Sequence, residues 1–173
     1  MSSAEVPGSV RILRAGIHHA DDLSRLHATL FRAAWGAASF KGLLAHPGAV
    51  AFVARAGNPR EVAGFIVGRL AADEAEILTL GVARDRQRVG IGGRLVVALC
   101  RAARTKGACQ LYLEVAADNI AARALYDRFG FQERGRRAGY YAGAGAPADD
   151  AINLCLTLPL PRRRGGRLGK PHL

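Results

Sequence analysis

Residues 78–106, LTLGVARDRQRVGIGGRLVVALCRAARTK, constrain the fold more than any other part of the chain. The apolar run Ile77 to Val82 has the length and composition of a buried strand. A polar loop, Arg84 to Gly93, follows and carries Gly90 and Gly92. From about Ile91 the apolar period changes, with Leu95, Val96, Leu99, Ala102 and Ala103 recurring at helical spacing. A strand that passes through a glycine-bearing loop into a helix N-terminus puts unpaired amides and the positive end of a helix dipole at one point, which favours a phosphate group. Gly90 and Gly92 allow the backbone to come close to a pyrophosphate and to adopt conformations closed to other residues.

The letters narrow the ligand. A P-loop ends in Gly-Lys-Ser/Thr, whereas Gly92-Gly93-Arg94 offers no hydroxyl for magnesium. A dinucleotide-binding turn needs a third glycine where Leu95 stands. Two close glycines also occur in tight turns that bind nothing, so the flanking sequence has to decide.

At 173 residues and 50% hydrophobic content the chain is long enough for one domain with a substantial core. No apolar run reaches the roughly 18 residues of a membrane span. The start, MSSAEVPGSVRILR, lacks a basic head followed by an apolar block, so no signal peptide is expected. Cys100, Cys109 and Cys155 lie far apart in apolar runs and read as small buried hydrophobes in a reducing, cytoplasmic compartment. The five histidines (adjacent His18 and His19, then His27, His46 and His172) show no ligand spacing, and no metal is expected.

The formal net charge of +11 favours anionic partners. Residues 161–173, PRRRGGRLGKPHL, carry five of those positive charges and leave +6 for the rest. Their composition predicts a disordered basic tail, a domain ending near residue 160, and weak RNA or ribosome contact or mere solubilisation as the tail's role. An acidic protein partner fits the charge; a ribosomal protein, itself basic, fits only with RNA nearby. No membrane partner is expected, and the chain is expected to be a monomer or weak dimer.

In chain order, Val10 to Ala15 reads as a strand. Asp21 or Asp22 caps a helix to about Ala34, with Leu23, Leu26, His27, Leu30 and Phe31 at helical spacing. His27 reads as a satisfied core histidine. Trp35 follows, and Ser39 caps a short helix that stops before Pro47. Ala49 to Ala54 and Val62 to Leu70 read as antiparallel strands about a turn at Gly57-Asn58-Pro59-Arg60. The helix from Ile91 ends near Lys106 with Gly107 just past it. Gln110 to Val115 alternates as a strand, Asp118 or Asn119 starts a short helix stopped by Gly130, and Phe131 to Arg136 and Ile152 to Leu158 close the sheet. The loop from Arg137 to Asp150 lies between them.

The loop Gln87-Arg88-Val89-Gly90-Ile91-Gly92 resembles the Q/R-x-x-G-x-G/A loop of the GNAT superfamily of acetyl-CoA-dependent N-acetyltransferases. Downstream, Leu113-Glu114-Val115 through Asn119, then Ala122, Leu125-Tyr126, Gly130 and Phe131, resembles that superfamily's second signature. Together the blocks cover about Leu80 to Phe131. A narrower resemblance is to bacterial ribosomal-protein-alanine N-acetyltransferases, through Leu113-Glu114-Val115, Arg136-Arg137 with Tyr140-Tyr141, Asp150-Ala151-Ile152, and Trp35 with Phe40. Two positions depart from the pattern: Gly93, where a basic residue is common, and Gly81, where a larger residue is usual.

The resemblance implies an α/β fold with a mixed, mostly antiparallel sheet flanked by helices, and two central strands splayed for acetyl-CoA. It implies that the backbone of Leu80, Gly81 and Val82 pairs with the pantetheine arm. The amides of Arg88, Val89, Gly90, Ile91, Gly92 and Gly93 would hold the pyrophosphate, and Asn119 would reach the pantetheine or thioester. Glu114 would be the general base and Tyr126 the general acid, with Trp35, Tyr140 and Tyr141 at the acceptor. The implied reaction is direct transfer of acetyl to a protein N-terminal amine, foremost the alanine of a small-subunit ribosomal protein. Plainer readings stand beside these: Glu114 facing solvent, Tyr126 in the core, and Trp35 packed on Phe40. So do two other functions, acetylation of lysine or a small amine, and a non-catalytic acetyl-CoA-binding or RNA-associated module.

Overall fold

The computed structural model describes residues 10–57, 61–137 and 150–159. Tyr140, Tyr141, the turn residues Asn58 to Arg60 and the basic segment 161–173 lie outside them. The strands are β1 (Val10–Arg14), β2 (Ala49–Ala56), β3 (Gly64–Ala71), β4 (Glu74–Val82), β5 (Gln110–Ala116), β6 (Gln132–Arg137) and β7 (Ala151–Thr157). The helices are α1 (Ala20–Leu30), α2 (Ala37–Ala45), α3 (Ile91–Thr105) and α4 (Ile120–Arg128). One sheet results, in the order β1-β2-β3-β4-β5-β7-β6, and β4–β5 is its one parallel pair. This is the mixed, mostly antiparallel sheet expected.

The helices divide the core in two. On one face Leu95, Val96, Leu99 and Ala103 of α3 pack with Ile66, Ile77, Leu111, Leu113 and Tyr126. On the other, Leu23 of α1 and Phe40 of α2 pack with Val53, Phe65 and Val67. The α3 stripe expected from periodicity is the buried one, joined by Ile91 at its first turn. The helix ends as its letters predict: Lys106 is the C-cap, and the Gly107 and Ala108 amides return to the carbonyls of Arg104 and Ala103, both at 3.0 Å.

Several helix starts differ from expectation. A 3-10 turn, Ile17–His19, precedes α1, so Asp21 and Asp22 lie in the first turn, where they face the positive dipole end without capping it. Leu30 ends α1, because Phe31 turns to extended backbone. Gly36, and not Ser39, is the N-cap of α2, and it carries no side chain to accept an amide.

Candidate active site

The sheet opens in its middle. β4 and β5 pair only from Glu74↔Gln110 to Ile77↔Leu113. Beyond that point β4 continues on β3 as far as Val82, and β5 continues on β7 as far as Ala116. The two strands therefore part into a gap. A β-bulge lies where they separate: Gly68 pairs with Ile77 but Val67 pairs with Thr79, leaving Leu78 as the extra residue. The bulge also inverts the alternation of β4. Ala75 and Ile77 face α3 before it, and Leu80 and Val82 face α3 after it.

The ladder's phase decides which backbone groups reach the gap. The Ala83 amide donates to the Ala63 carbonyl at 2.9 Å, so Gly64 and Val82 form a non-hydrogen-bonded pair. Alternation makes Ile66 and Leu80 another such pair, while Phe65 and Gly81 exchange hydrogen bonds. Leu80 and Val82 thus turn their N–H and C=O groups toward β5, and Gly81 turns its groups toward β3. Of the strand residues expected to meet a pantetheine arm, Leu80 and Val82 turn backbone groups to the gap and Gly81 does not. Gln87 Nε2 donates to the Val82 carbonyl at 3.0 Å and ties the loop to the strand end. Gly81 has a different role. A methyl placed on it would lie 2.8 Å from Leu30 Cδ1 and from Phe65 Cε1 and Cζ. Leu30 of α1 occupies the room that a larger residue would need.

The loop between β4 and α3 makes a short 3-10 turn, Arg84–Arg86, and then two left-handed residues, Arg88 (φ 63°) and Gly90 (φ 87°). Only Gly90 reaches that region without a Cβ penalty. The amides of Arg88, Val89, Gly90, Ile91, Gly92 and Gly93 donate no hydrogen bond to any described residue. Six unpartnered amides at the dipole-positive start of a fifteen-residue helix suit a pyrophosphate. Gly92 and Gly93 face Leu125 and Phe129, so the side of α3 near the loop is walled by α4.

Glu114 and Tyr126 lie on opposite faces of the sheet. Leu111, Leu113 and Val115 of β5 point into the α3–α4 core, so Glu114 points to the face that carries α1 and α2. Its side chain is 22% exposed, with Arg137 Nη2 at 3.9 Å from Oε2. Arg137 is therefore a neighbour of the candidate base, in a pair worth under about 1 kcal/mol. Tyr126 sits on the buried side of α4, edge-on to Phe131 at 5.3 Å. Burial raises its pKa well above the ordinary tyrosine value, and its hydroxyl has no partner among the described residues. Only an opening through the sheet would let groups on its two faces meet, and the parting of β4 from β5 is the one place where the described strands cease to pair within the sheet.

Asn119 is the N-cap of α4: its Oδ1 accepts the Ala122 amide at 3.1 Å. Only its side-chain NH2 remains for a ligand. Trp35 is half-buried beside Phe40, with ring centroids 5.8 Å apart, which is the packing reading. Two of the three thiols are withdrawn by their surroundings: burial pushes Cys100 up to about 11, and Cys155 is buried with Sγ 3.5 Å from Gln110 Oε1. Among the described residues no group of three or more His, Cys, Asp or Glu could hold a metal, and no helix is long and apolar enough to cross a membrane.

Residues 20–131 match the acetyltransferase (GNAT) family. This chain belongs to the GNAT family. Within it, the chain is 37% identical over 99 residues to the [ribosomal protein bS18]-alanine N-acetyltransferase of Salmonella typhimurium, covering 57% of this chain and 66% of that protein. It is 40% identical over 118 residues to the N-alpha-acetyltransferase RimI of Mycobacterium tuberculosis, covering 66% and 72%. The crystal structure of the ribosomal-protein-S18-alanine N-acetyltransferase from Escherichia coli superposes with a TM-score of 0.80 at 25% identity, covering 91% of this chain and 99% of that one. Sequence reasoning gave no role to Gln87, Arg84 or Ser24. Gln87 stands inside the GNAT loop pattern, which was signal enough. Arg84 donates to the Thr29 carbonyl at 3.3 and 3.4 Å, a contact across 55 residues that no local pattern announces.

Proposed function

We propose that this GNAT protein transfers acetyl from acetyl-CoA to a protein N-terminal α-amine, with the N-terminal alanine of ribosomal protein bS18 as the acceptor. The observation that carries the reading is the gap between β4 and β5, with six unpartnered amides at one end and Glu114 and Tyr126 on its two faces. The names of the relatives supply the acceptor. Residues 1–160 form the catalytic domain in this reading, the tail 161–173 lies outside it, and the protein acts in the cytoplasm.

The residues divide the work as follows. The loop amides from Arg88 to Gly93 bind the pyrophosphate, and Leu80 pairs with the amide-bearing arm as an added strand would, which leaves the Val82 amide for the thioester end. Asn119 donates through its NH2. An α-amine has a pKa near 8, so at neutral pH it is largely protonated and cannot attack. Glu114 takes that proton. The amine nitrogen then bonds to the thioester carbonyl carbon while the Val82 amide donates to the developing oxyanion, the C–S bond breaks to release the thiolate, and the nitrogen loses its second proton to solvent so that the product amide keeps one N–H. Tyr126 donates to the departing thiolate sulfur.

The test is thiol release from acetyl-CoA with a peptide that begins in Ala-Arg, its N-terminus free or blocked. Turnover with the free form alone is expected. Turnover with both forms would point to lysine, and none with either, beside turnover of a polyamine, would move the assignment to small amines. Binding of acetyl-CoA with no turnover of any amine would mark a silent module.

A further inference from the structure

The loop that joins α1 to α2 has no backbone hydrogen bonds of its own from Arg32 to Trp35 among the described residues; side chains of α1 hold it instead. His27 Nδ1 accepts the Trp35 amide at 3.2 Å, and Ser24 Oγ donates to the Trp35 carbonyl at 3.0 Å. Both backbone groups of one residue are thus gripped by two side chains one helical turn apart. The accepting Nδ1 puts the proton of the neutral imidazole on Nε2. The His27 ring is sandwiched between Phe31 at 4.1 Å and Trp35 at 5.2 Å, with Phe40 edge-on at 5.5 Å. It is 2% exposed, and burial lowers its pKa.

The gripped loop leaves the end of α1 that touches β4 beside the gap. Leu30, the last residue of α1, presses on Gly81 of β4, and the Arg84 guanidinium of the β4–α3 loop holds the Thr29 carbonyl. Glu114 points to this same face. The loop and Glu114 therefore lie on the same face of the sheet, the loop joined to the end of α1 that packs on β4. We propose that Ser24 and His27 form a two-point clamp on Trp35 that sets this loop as a wall of the acceptor subsite, which makes His27 a positioning residue for the amine. The inference rests on the N-acetyltransferase reading above. It converts a histidine that sequence alone places in the core into one whose hydrogen bond holds a loop beside the site.

The experiment compares the parent with His27→Phe, which keeps a packing ring but no acceptor, His27→Asn, whose amide oxygen can replace Nδ1, and Ser24→Ala. Trp35 is the chain's one tryptophan, so its emission and acrylamide quenching report the clamp without reference to turnover. His27→Phe is expected to raise the peptide KM about tenfold, the loss of one hydrogen bond, with the acetyl-CoA KM unchanged. Its Trp35 emission moves to the red and quenching increases, and His27→Asn recovers most of both effects. Combining Ser24→Ala with His27→Phe gives less than the product of the single effects, because both act on one residue. An unchanged peptide KM in His27→Phe, an equal rise in both KM values, or no recovery by Asn overturns the clamp. If His27→Phe does not fold, Ser24→Ala at its half-exposed position gives the same readings. A parent that turns over no peptide sinks the proposed function instead, and unchanged Trp35 quenching in Ser24→Ala and His27→Phe would then dispose of the clamp as well.

Discussion

Burial acts on Tyr126 and His27 in opposite directions, since it disfavours the anion of one and the cation of the other. For Tyr126 the effect changes the chemistry expected from sequence. A thiol has an ordinary pKa near 8.5, so a phenol raised above its own ordinary value of about 10 does not give up its proton to a thiolate readily. In the proposed reaction it would stay neutral and donate a hydrogen bond to the sulfur. Tyr126→Phe should therefore lower kcat by roughly ten- to a hundredfold, the scale of a hydrogen bond to a charged group. Its thermal midpoint should hold, because the hydroxyl has no partner to lose among the described residues. Glu114→Gln should be more severe, about 10² to 10⁴ in kcat, since no proton acceptor replaces it. Steady-state rates beside calorimetric binding of acetyl-CoA check both; wild-type rates in Glu114→Gln would remove it from the mechanism.

At the scale of the element, β4 does most to make the site. Its bulge at Leu78 moves Leu80 and Val82 onto the face that Ala75 and Ile77 occupied, and parting from β5 exposes their backbone groups. Gly81 is the cost of bringing α1 so close. Gly81→Ala should destabilise by about 1–3 kcal/mol through overpacking. Urea denaturation would show a lower midpoint at unchanged slope. Adding Leu30→Ala removes one of the two side chains the methyl would meet and lets the Phe65 ring shift into the space, so the double variant should be more stable than the two single losses summed. A strictly additive result would mean that α1 and β4 are not in contact at this position. The Gly90 and Gly107 ends of α3 follow from their letters, whereas Asn119 serves α4 with the oxygen that the family resemblance would direct at a ligand.

For the whole molecule, the two buried histidines couple stability to pH. His19 and His27 both have lowered values, His19 through burial first and then the charges of His18 and Arg55. The unfolded chain binds their protons from about pH 6.5 downward, before the folded chain does. Stability is thus complete above about pH 6.5, falls as pH drops below it, and stops falling from this source once the folded-state values are passed. Urea midpoints at pH 7.5 and 5.5 should show the loss, and His27→Phe should reduce it; a flat profile would refute the coupling. Much of the architecture was legible in the letters because its signals are local. The strand-to-helix change of period at residues 77–106, the glycine loop, the stop at Gly107 and the second block through Gly130 each depend on residues a few positions apart. Tertiary structure alone decided the rest. Which amides of β4 face the gap depends on a ladder phase set by β3, and the bulge that inverts its faces has no mark in an unbroken apolar run. That Glu114 and Tyr126 lie on opposite faces of the sheet depends on where β5 and α4 pack. That His27 grips Trp35 depends on a loop folding back over eight residues, a distance at which periodicity carries no information.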